Sequence, residues 1–380
     1  MKLTVIIAEY NPLHNGHLYQ LNIAKKIGNP IVVLLSGDFV QRGEAAILDK
    51  YLRAEAIVKN GADLVFELPY PFSAAPADKY ALGAFKLMSQ INAEITLSFG
   101  SEEGNIELIN NTAKVLLEEP NEFQSYLKQN LESGLSFPLS RSNALFEYAN
   151  KNEIKICDIT KPNNILAVEY AKTNLATNSN YALHTIKRIG SYKEDDNQEY
   201  LSAEQIRKRF FNGKYIESRF IPSETKFLLD SSTITNNDII YLYAILQMGT
   251  QNIAKIYDVK EGLENKIYNS ATTSHSTAEV LEKVVNSRYT ESRIKRILTN
   301  ILLNNTTEKF EKCLSEKLVY NLLSAKKSSR NLLSLINGEV ITSQSALSKI
   351  ELTHTILTSK AHEYFNIIRG NATDHAIFVD

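Results

Sequence analysis

The chain reads as an α/β fold, a parallel sheet covered by helices and then an all-helical C-terminal region, and three observations predict it. Near-continuous apolar runs recur at residues 3–8, 31–36, 63–68 and 94–99. Helix-spaced apolar stripes at residues 17–26, 49–60 and 77–90 separate them. That is βαβ alternation, and strands this apolar are buried on both faces, which requires a parallel sheet with helices over it. Past Pro222 the chain offers amphipathic helices with Asn- and Ser-rich turns and no run that reads as a strand.

Each element has its own signal. The first strand breaks at Glu9-Tyr-Asn-Pro-Leu13 into His14-Asn-Gly-His17, with Asn11-Pro12 marking the turn; Leu18, Leu21, Ala24 and Ile27 then form a helical stripe. The second strand feeds Gly37-Asp-Phe-Val-Gln-Arg-Gly43 and a helix start carrying Asp49, Lys50 and Arg53. The third runs into a loop at residues 69–76, and the fourth ends at Gly100-Ser101-Glu102. Residues 105–180 are mostly helical, with a loop at 134–141, and Lys161-Pro-Asn-Asn164 opens a further helix. His184-Thr-Ile-Lys-Arg188 reads as a strand running into Ile189-Gly190. A polar loop with Glu194, Asp195 and Asp196 follows, then Ser202 as N-cap of a helix through Arg207. Loops after the first four strands share the carboxyl edge of the sheet, where ligands bind in such folds.

Composition sets bounds. A length of 380 residues predicts two domains, placed at 1–222 and 223–380. The net charge of −1 means that a nucleic-acid partner must meet a local basic patch rather than a global field. Cys157 and Cys313 fit no metal spacing or disulfide framework, which suits a reducing cytosol. The chain starts with a strand rather than a signal-like segment, and no apolar run approaches the roughly 18 residues of a membrane helix, so a cytoplasmic location and no membrane partner are expected.

The spacing H-x-G-H at a strand-to-helix junction is the strongest chemical signal. A helix N-terminus offers unpaired N–H groups and positive dipole to phosphate oxygens. Gly16 lets backbone approach a ligand, while His14 and His17 can donate hydrogen bonds to a phosphate gaining charge. The rivals are a surface pair or half of a metal site, the latter disfavoured because no third His or Cys lies nearby.

Other candidates are weaker residue by residue. Arg42 or Lys50 could meet phosphate or belong to a solvated turn and helix start. Gly100 lies where backbone must approach a base or ribose, or is a simple turn. Asn163 and Asn164 could cap a helix or reach a nucleotide. Arg188 at a strand end needs an anionic partner if buried, and bidentate phosphate binding is the usual use. Lys187 beside it alternates to the opposite face. Residues 281–330 hold eleven Lys/Arg against five acids, a basic stretch that is either a solvated helix face or an RNA contact; Arg288, Arg293, Lys295 and Arg296 are the candidates. Absence of G-x-S-x-G, of a Walker lysine loop and of a K-M-S-K-S-like segment argues against serine hydrolases, P-loop enzymes and class I aminoacyl-tRNA synthetases.

Taken in register, Ile7-Ala-Glu-Tyr-Asn-Pro-Leu-His-Asn-Gly-His17, Ser36-Gly-Asp-Phe-Val-Gln-Arg-Gly-Glu44, Gly61-Ala-Asp-Leu-Val-Phe-Glu-Leu-Pro69, Phe99-Gly-Ser-Glu102, Lys161-Pro-Asn-Asn-Ile-Leu-Ala-Val-Glu-Tyr170 and Ser202-Ala-Glu-Gln-Ile-Arg207 resemble the tRNA(Met) cytidine acetate ligase family. The resemblance implies a Rossmann-like nucleotidyltransferase domain and three substrates, ATP, acetate and elongator tRNA(Met), whose wobble cytidine is acetylated on N4. It places ATP contacts on Ile7, Ala8, Glu9, Tyr10, Asn11, Pro12, Leu13, His14, Asn15, Gly16, His17, Leu18, Tyr19 and Gln20, and on Gly100, Asn163 and Arg188. His14, His17 and Arg188 would carry the chemistry, with Mg²⁺ brought by ATP. Asp38 stands where Asn is expected, Ala45 where Pro is usual and Tyr51 where Trp is usual; a carboxylate at 38 would either repel phosphates or hold the metal. Two other readings keep the same fold: an adenylyltransferase acting on a small cofactor precursor, and a catalytically silent RNA-binding protein.

Overall fold

The structure is a computed structural model that describes residues 1–189, 200–231, 234–260, 262–370 and 372–380. Gly190 and the acidic loop with Glu194, Asp195 and Asp196 lie outside the described residues.

The first half follows the expected alternation. In chain order come β1 (Lys2–Ala8), α1 (Asn15–Lys25), β2 (Ile31–Ser36), a hairpin of β3 (Phe39–Val40) and β4 (Glu44–Ala45), α2 (Lys50–Lys59), β5 (Leu64–Leu68), α3 (Ala77–Met88) and β6 (Glu94–Ser101). Helices α4 (Ile106–Glu118), α5 (Asn121–Glu132), α6 (Phe137–Lys151) and α7 (Pro162–Ala176) lead to β7 (Ala182–Lys187) and α8 (Ala203–Phe211). The remainder holds α9 (Ser223–Ser231), α10 (Ile239–Ile253), α11 (Leu263–Ala271), α12 (Thr277–Val284), α13 (Glu291–Leu303), α14 (Thr307–Ser315), β8 (Tyr320–Lys326), β9 (Val340–Ile341), α15 (Gln344–Leu347), α16 (Thr353–Arg369) and β10 (Ile377–Val379).

Strands run in the order β10-β8-β5-β2-β1-β6-β7, and β5, β2, β1, β6 and β7 are mutually parallel. The chain walks outward from β1 through β2 to β5, then returns to the other side of β1 with β6. That reversal places the switch point between β1 and β6, where a crevice opens beyond the strand ends. The pleat shows why these strands are apolar throughout. Val5, Ile7, Val32 and Leu34 enter one core with α3 and α7, while Ile6, Ala8, Val33 and Leu35 enter the other with α1 and α2.

The expectation of an all-helical C-terminal region is corrected by β8 and β10. Strand β8 pairs antiparallel with β5 and parallel with β10, extending the same sheet. Its first six residues are all buried. A short apolar run carries no period that separates a strand from a buried helix, and the lysines at 326 and 327 disguised this one as part of a basic helical stretch.

Candidate active site

The cleft lies at the expected switch point, about 280 Å³ in volume, walled by the carboxyl ends of β1, β6 and β7 and by the N-termini of α1, α7 and α8. His14 is the N-cap of α1: its Nδ1 accepts from the Gly16 N–H at 3.0 Å, and His17 Nδ1 accepts from the His14 N–H at 3.3 Å. The two rings stack at 3.6 Å, and Tyr10 lies 4.4 Å from His17 on the side of the loop. A ring whose Nδ1 accepts must carry its proton on Nε2, so both imidazoles present an Nε2–H donor. Burial, followed by the charges of Arg188 and Arg207, drives the His14 pKa down to about 3. Burial, His14 and Arg188 hold His17 well below its ordinary value. The pair is neutral.

Of the residues expected to meet a nucleotide, Ile7, Ala8, Glu9, Tyr10, Asn11, His14, Gly16, His17, Tyr19, Gln20, Gly100, Asn163 and Arg188 line the cleft. Four do not. Leu13 is buried in the core beneath α1 with Leu18 packed against it, Asn15 bonds through Nδ2 to the Arg219 carbonyl at 2.7 Å, and Pro12 shapes the turn. Gly16 lines the cleft and has a second reason to be glycine: a Cβ there would lie 2.9 Å from His14 Cε1, so the missing side chain is what lets the imidazole fold over the helix start. Asn163 and Asn164 do capping work in concert with Glu102. The Glu102 carboxylate accepts from the Asn164 N–H at 2.8 Å and from Asn163 Nδ2 at 3.0 Å, at the start of α7. Asn163 still faces the cleft, whereas Asn164 is buried and bonds the Asp158 carbonyl. Arg188 follows β7, with its N–H bonded to the Ser101 carbonyl at 2.8 Å, and Lys187 lines the cleft beside it despite the strand alternation.

Sequence reasoning missed Arg207. Its guanidinium donates to the Asn11 carbonyl at 2.6 Å and faces Glu44 at 3.7 Å, tying α8 to the loop after β1. The visible signal was the Ser202-Ala-Glu-Gln-Ile-Arg207 segment, whose capping box starts α8. Tyr80, Phe99 and Tyr170, which close the floor of the cleft, were also missed because core aromatics look alike in sequence.

Two expected phosphate or metal contacts are corrected. Lys50 is fully buried, 2.9 Å from Asp38 and 2.9 Å from Glu67, and it therefore meets no ligand. Asp38 also faces His362 Nδ1 at 3.2 Å. Burial raises the Asp38 pKa, but Lys50 and His362 outweigh that and hold the carboxyl low. No group of three or more metal-ligating side chains exists among the described residues, and Asp38 has its charge already matched. The described residues alone therefore assemble no protein-held Mg²⁺ site. Arg53, also buried, donates to the backbone carbonyls of Glu9, Ser36, Gly37 and Leu48 and so fixes the ends of β1 and β2. In the basic stretch, Arg293 pairs with Asp258 at 3.0 Å and Lys295 with Glu44 at 2.6 Å, while the backbone at Lys295 and Arg296 presses on Gly43, where any Cβ would collide. Arg288 is exposed.

A parallel sheet with its switch-point cleft, and a neutral imidazole pair at a helix N-terminus flanked by arginines, define a nucleotidyltransferase of the HIGH class. A profile of HIGH Nucleotidyl Transferases matches residues 1–376. Two curated relatives, the tRNA(Met) cytidine acetate ligases of Clostridium novyi and Thermoanaerobacter sp., are 40% and 39% identical over 78% and 80% of this chain and 78% of each relative. A crystal structure of Thermotoga maritima TmcAL bound with alpha-thio ATP matches with a TM-score of 0.88 at 29% identity over all of both chains. The chain belongs to the tRNA(Met) cytidine acetate ligase family.

Proposed function

We propose that this chain activates acetate with ATP as acetyl-adenylate, releasing pyrophosphate, and transfers the acetyl group to N4 of the wobble cytidine of elongator tRNA(Met). The observation that carries the reading is the stacked His14 and His17 pair, each with a free Nε2–H, at the mouth of the switch-point cleft. The activity for which the relatives are named and the nucleotide analogue bound by the structural neighbour support it.

A carboxylate is a poor acyl donor, and cytidine N4 is a weak nucleophile because its lone pair is delocalised into the ring. An acetate oxygen attacks the α-phosphorus, the bond to the β-phosphate oxygen breaks, and pyrophosphate leaves. His14 and His17 donate from Nε2 to oxygens that gain charge, and Arg188 clamps phosphate. Mg²⁺ would accompany ATP as its counter-ion and would neutralise part of the phosphate charge. The N4 atom then attacks the acetyl carbon, the bond from that carbon to the AMP phosphate oxygen breaks, AMP departs with the bonding pair, and one N4 proton is lost to the departing phosphate or to water. The base must leave the anticodon stack for this, which single-stranded loops allow at little cost.

Exposed Arg288 and its basic neighbours contribute phosphate contacts to the tRNA, with residues 223–380 as the region that receives it. A tRNA substrate puts the reaction in the cytoplasm; among the described residues no helix is long and apolar enough to cross a membrane. The test is mass spectrometry of nucleosides from tRNA incubated with the protein, ATP and labelled acetate. Labelled N4-acetylcytidine supports the reading, and its absence from active protein removes it.

A further inference from the structure

One end of the cleft is lined by aromatic rather than cationic side chains. The imidazoles, Arg188, Arg207 and Lys187 gather at the mouth, whereas the floor is made of Tyr80, Phe99 and Tyr170 with Glu9 at its edge. These three aromatics are each 2% or 3% exposed. Phe99 and Tyr170 lie 5.5 Å apart, centroid to centroid. The Tyr80 hydroxyl is engaged with Ser36 Oγ at 3.2 Å. By contrast, the Tyr170 hydroxyl has no hydrogen-bond partner among the described residues, although the ring is almost wholly buried against the cleft. The hydroxyl is not sealed in the packed interior but opens on the cleft, where a ligand oxygen can accept its proton.

We propose that this floor is the subsite for a small carboxylate, with Tyr170 Oη donating to one carboxylate oxygen and the rings of Phe99 and Tyr80 walling in a short alkyl group. The proposal rests on the acetate-activating reading above. The second carboxylate oxygen then points toward the mouth, where His14 and His17 would hold the α-phosphate that it attacks. Burial raises the Glu9 pKa, and Glu9 faces such a guest with its Oε1 held by the Gln41 N–H at 2.8 Å and with Arg207 and Arg42 offsetting its charge. An aromatic floor of this kind would favour acetate over longer acids, although one methylene is worth only about 10-fold to 200-fold in selectivity.

The test is steady-state AMP release with ATP, unmodified tRNA and either acetate or propionate. Tyr170→Phe keeps the ring packed and removes one oxygen; it should raise KM for acetate by about 10-fold or more while KM for ATP stays within twofold. Phe99→Leu should raise propionate relative to acetate in kcat/KM by about 10-fold. A Tyr170→Phe enzyme with an unchanged KM for acetate, or one in which both KM values rise together, overturns the subsite while leaving the reaction standing. A wild-type enzyme indifferent to acetate overturns both.

Discussion

His14 and His17 stack face to face at 3.6 Å with both Nδ1 atoms occupied by backbone N–H donors. Two protonated imidazoles could not share that geometry, and neutral rings in this arrangement can only donate from Nε2. The free enzyme therefore needs no protonation event in this pair across the neutral range. With the His14 pKa near 3, kcat/KM for ATP should show no acid limb centred near 6.5 that belongs to these residues. A pH profile of pyrophosphate release in wild type and His14→Gln checks this. The pair also makes folding less favourable on the acid side: below the unfolded value the denatured chain takes protons that the folded rings refuse, so stability falls with pH. His17→Ala should leave the fold intact and lower AMP formation by roughly 10²-fold or more.

Gly16→Ala separates helix stability from ring placement. Gly16 lies in the first turn of α1 without a positive φ, so alanine suits the backbone and should stabilise by up to about 1 kcal/mol. Its Cβ, however, would lie 2.9 Å from His14 Cε1 and push the imidazole aside. Misplacing a catalytic group by about 1 Å can cost about 10²-fold. The expected outcome is a midpoint of thermal unfolding that is unchanged or higher, with kcat/KM for ATP lowered by at least tenfold.

Much of this was legible because the strands are buried on both faces and the His-x-Gly-His turn interrupts one of them. What was hidden depended on residues far apart in sequence. Lys50 and Arg53 look like an exposed cationic helix face until Glu67 from β5 and His362 from α16 come into view around Asp38. Strand β8 carries no alternation because both of its faces are covered, and its place beside β5 is a long-range fact. The Glu102 cap on α7 joins two motifs read separately, each of which had looked like a nucleotide contact.

Lys50 is the keystone charge of a buried cluster. Burial would lower its pKa, yet Asp38 and Glu67 together raise it, and burial raises the Glu67 carboxyl. Lys50→Met leaves Glu67 without its cation and Asp38 with His362 alone, a change that costs about 3–5 kcal/mol when one partner of a buried pair is removed. Urea unfolding should show the loss, and adding Asp38→Asn should recover part of it. A Lys50→Met protein as stable as wild type would mean that the cluster relaxes or takes up protons at no cost.

His362 gives stability a component of opposite sign to that of the His14 pair. Its Nδ1 lies 3.2 Å from Asp38 and its Nε2 3.1 Å from Asp374. Burial alone would lower its pKa, but the Asp38 charge outweighs burial and raises it above the ordinary 6.5. A folded state that holds this proton more tightly than the unfolded chain gains stability that is complete below 6.5 and fades as pH climbs through the folded value. One proton limits the slope to about 1.4 kcal/mol per pH unit. Urea midpoints taken upward from near pH 6 should therefore decline in wild type, and the decline should be shallower in His362→Gln, whose amide can still bond Asp38 but cannot titrate. Equal slopes in the two proteins would place the proton elsewhere in the cluster. Because Asp38 sits on the loop that leads into the β3 and β4 hairpin, whose Val40 and Glu44 face the cleft, deprotonation of His362 should also raise KM for ATP over the same pH interval.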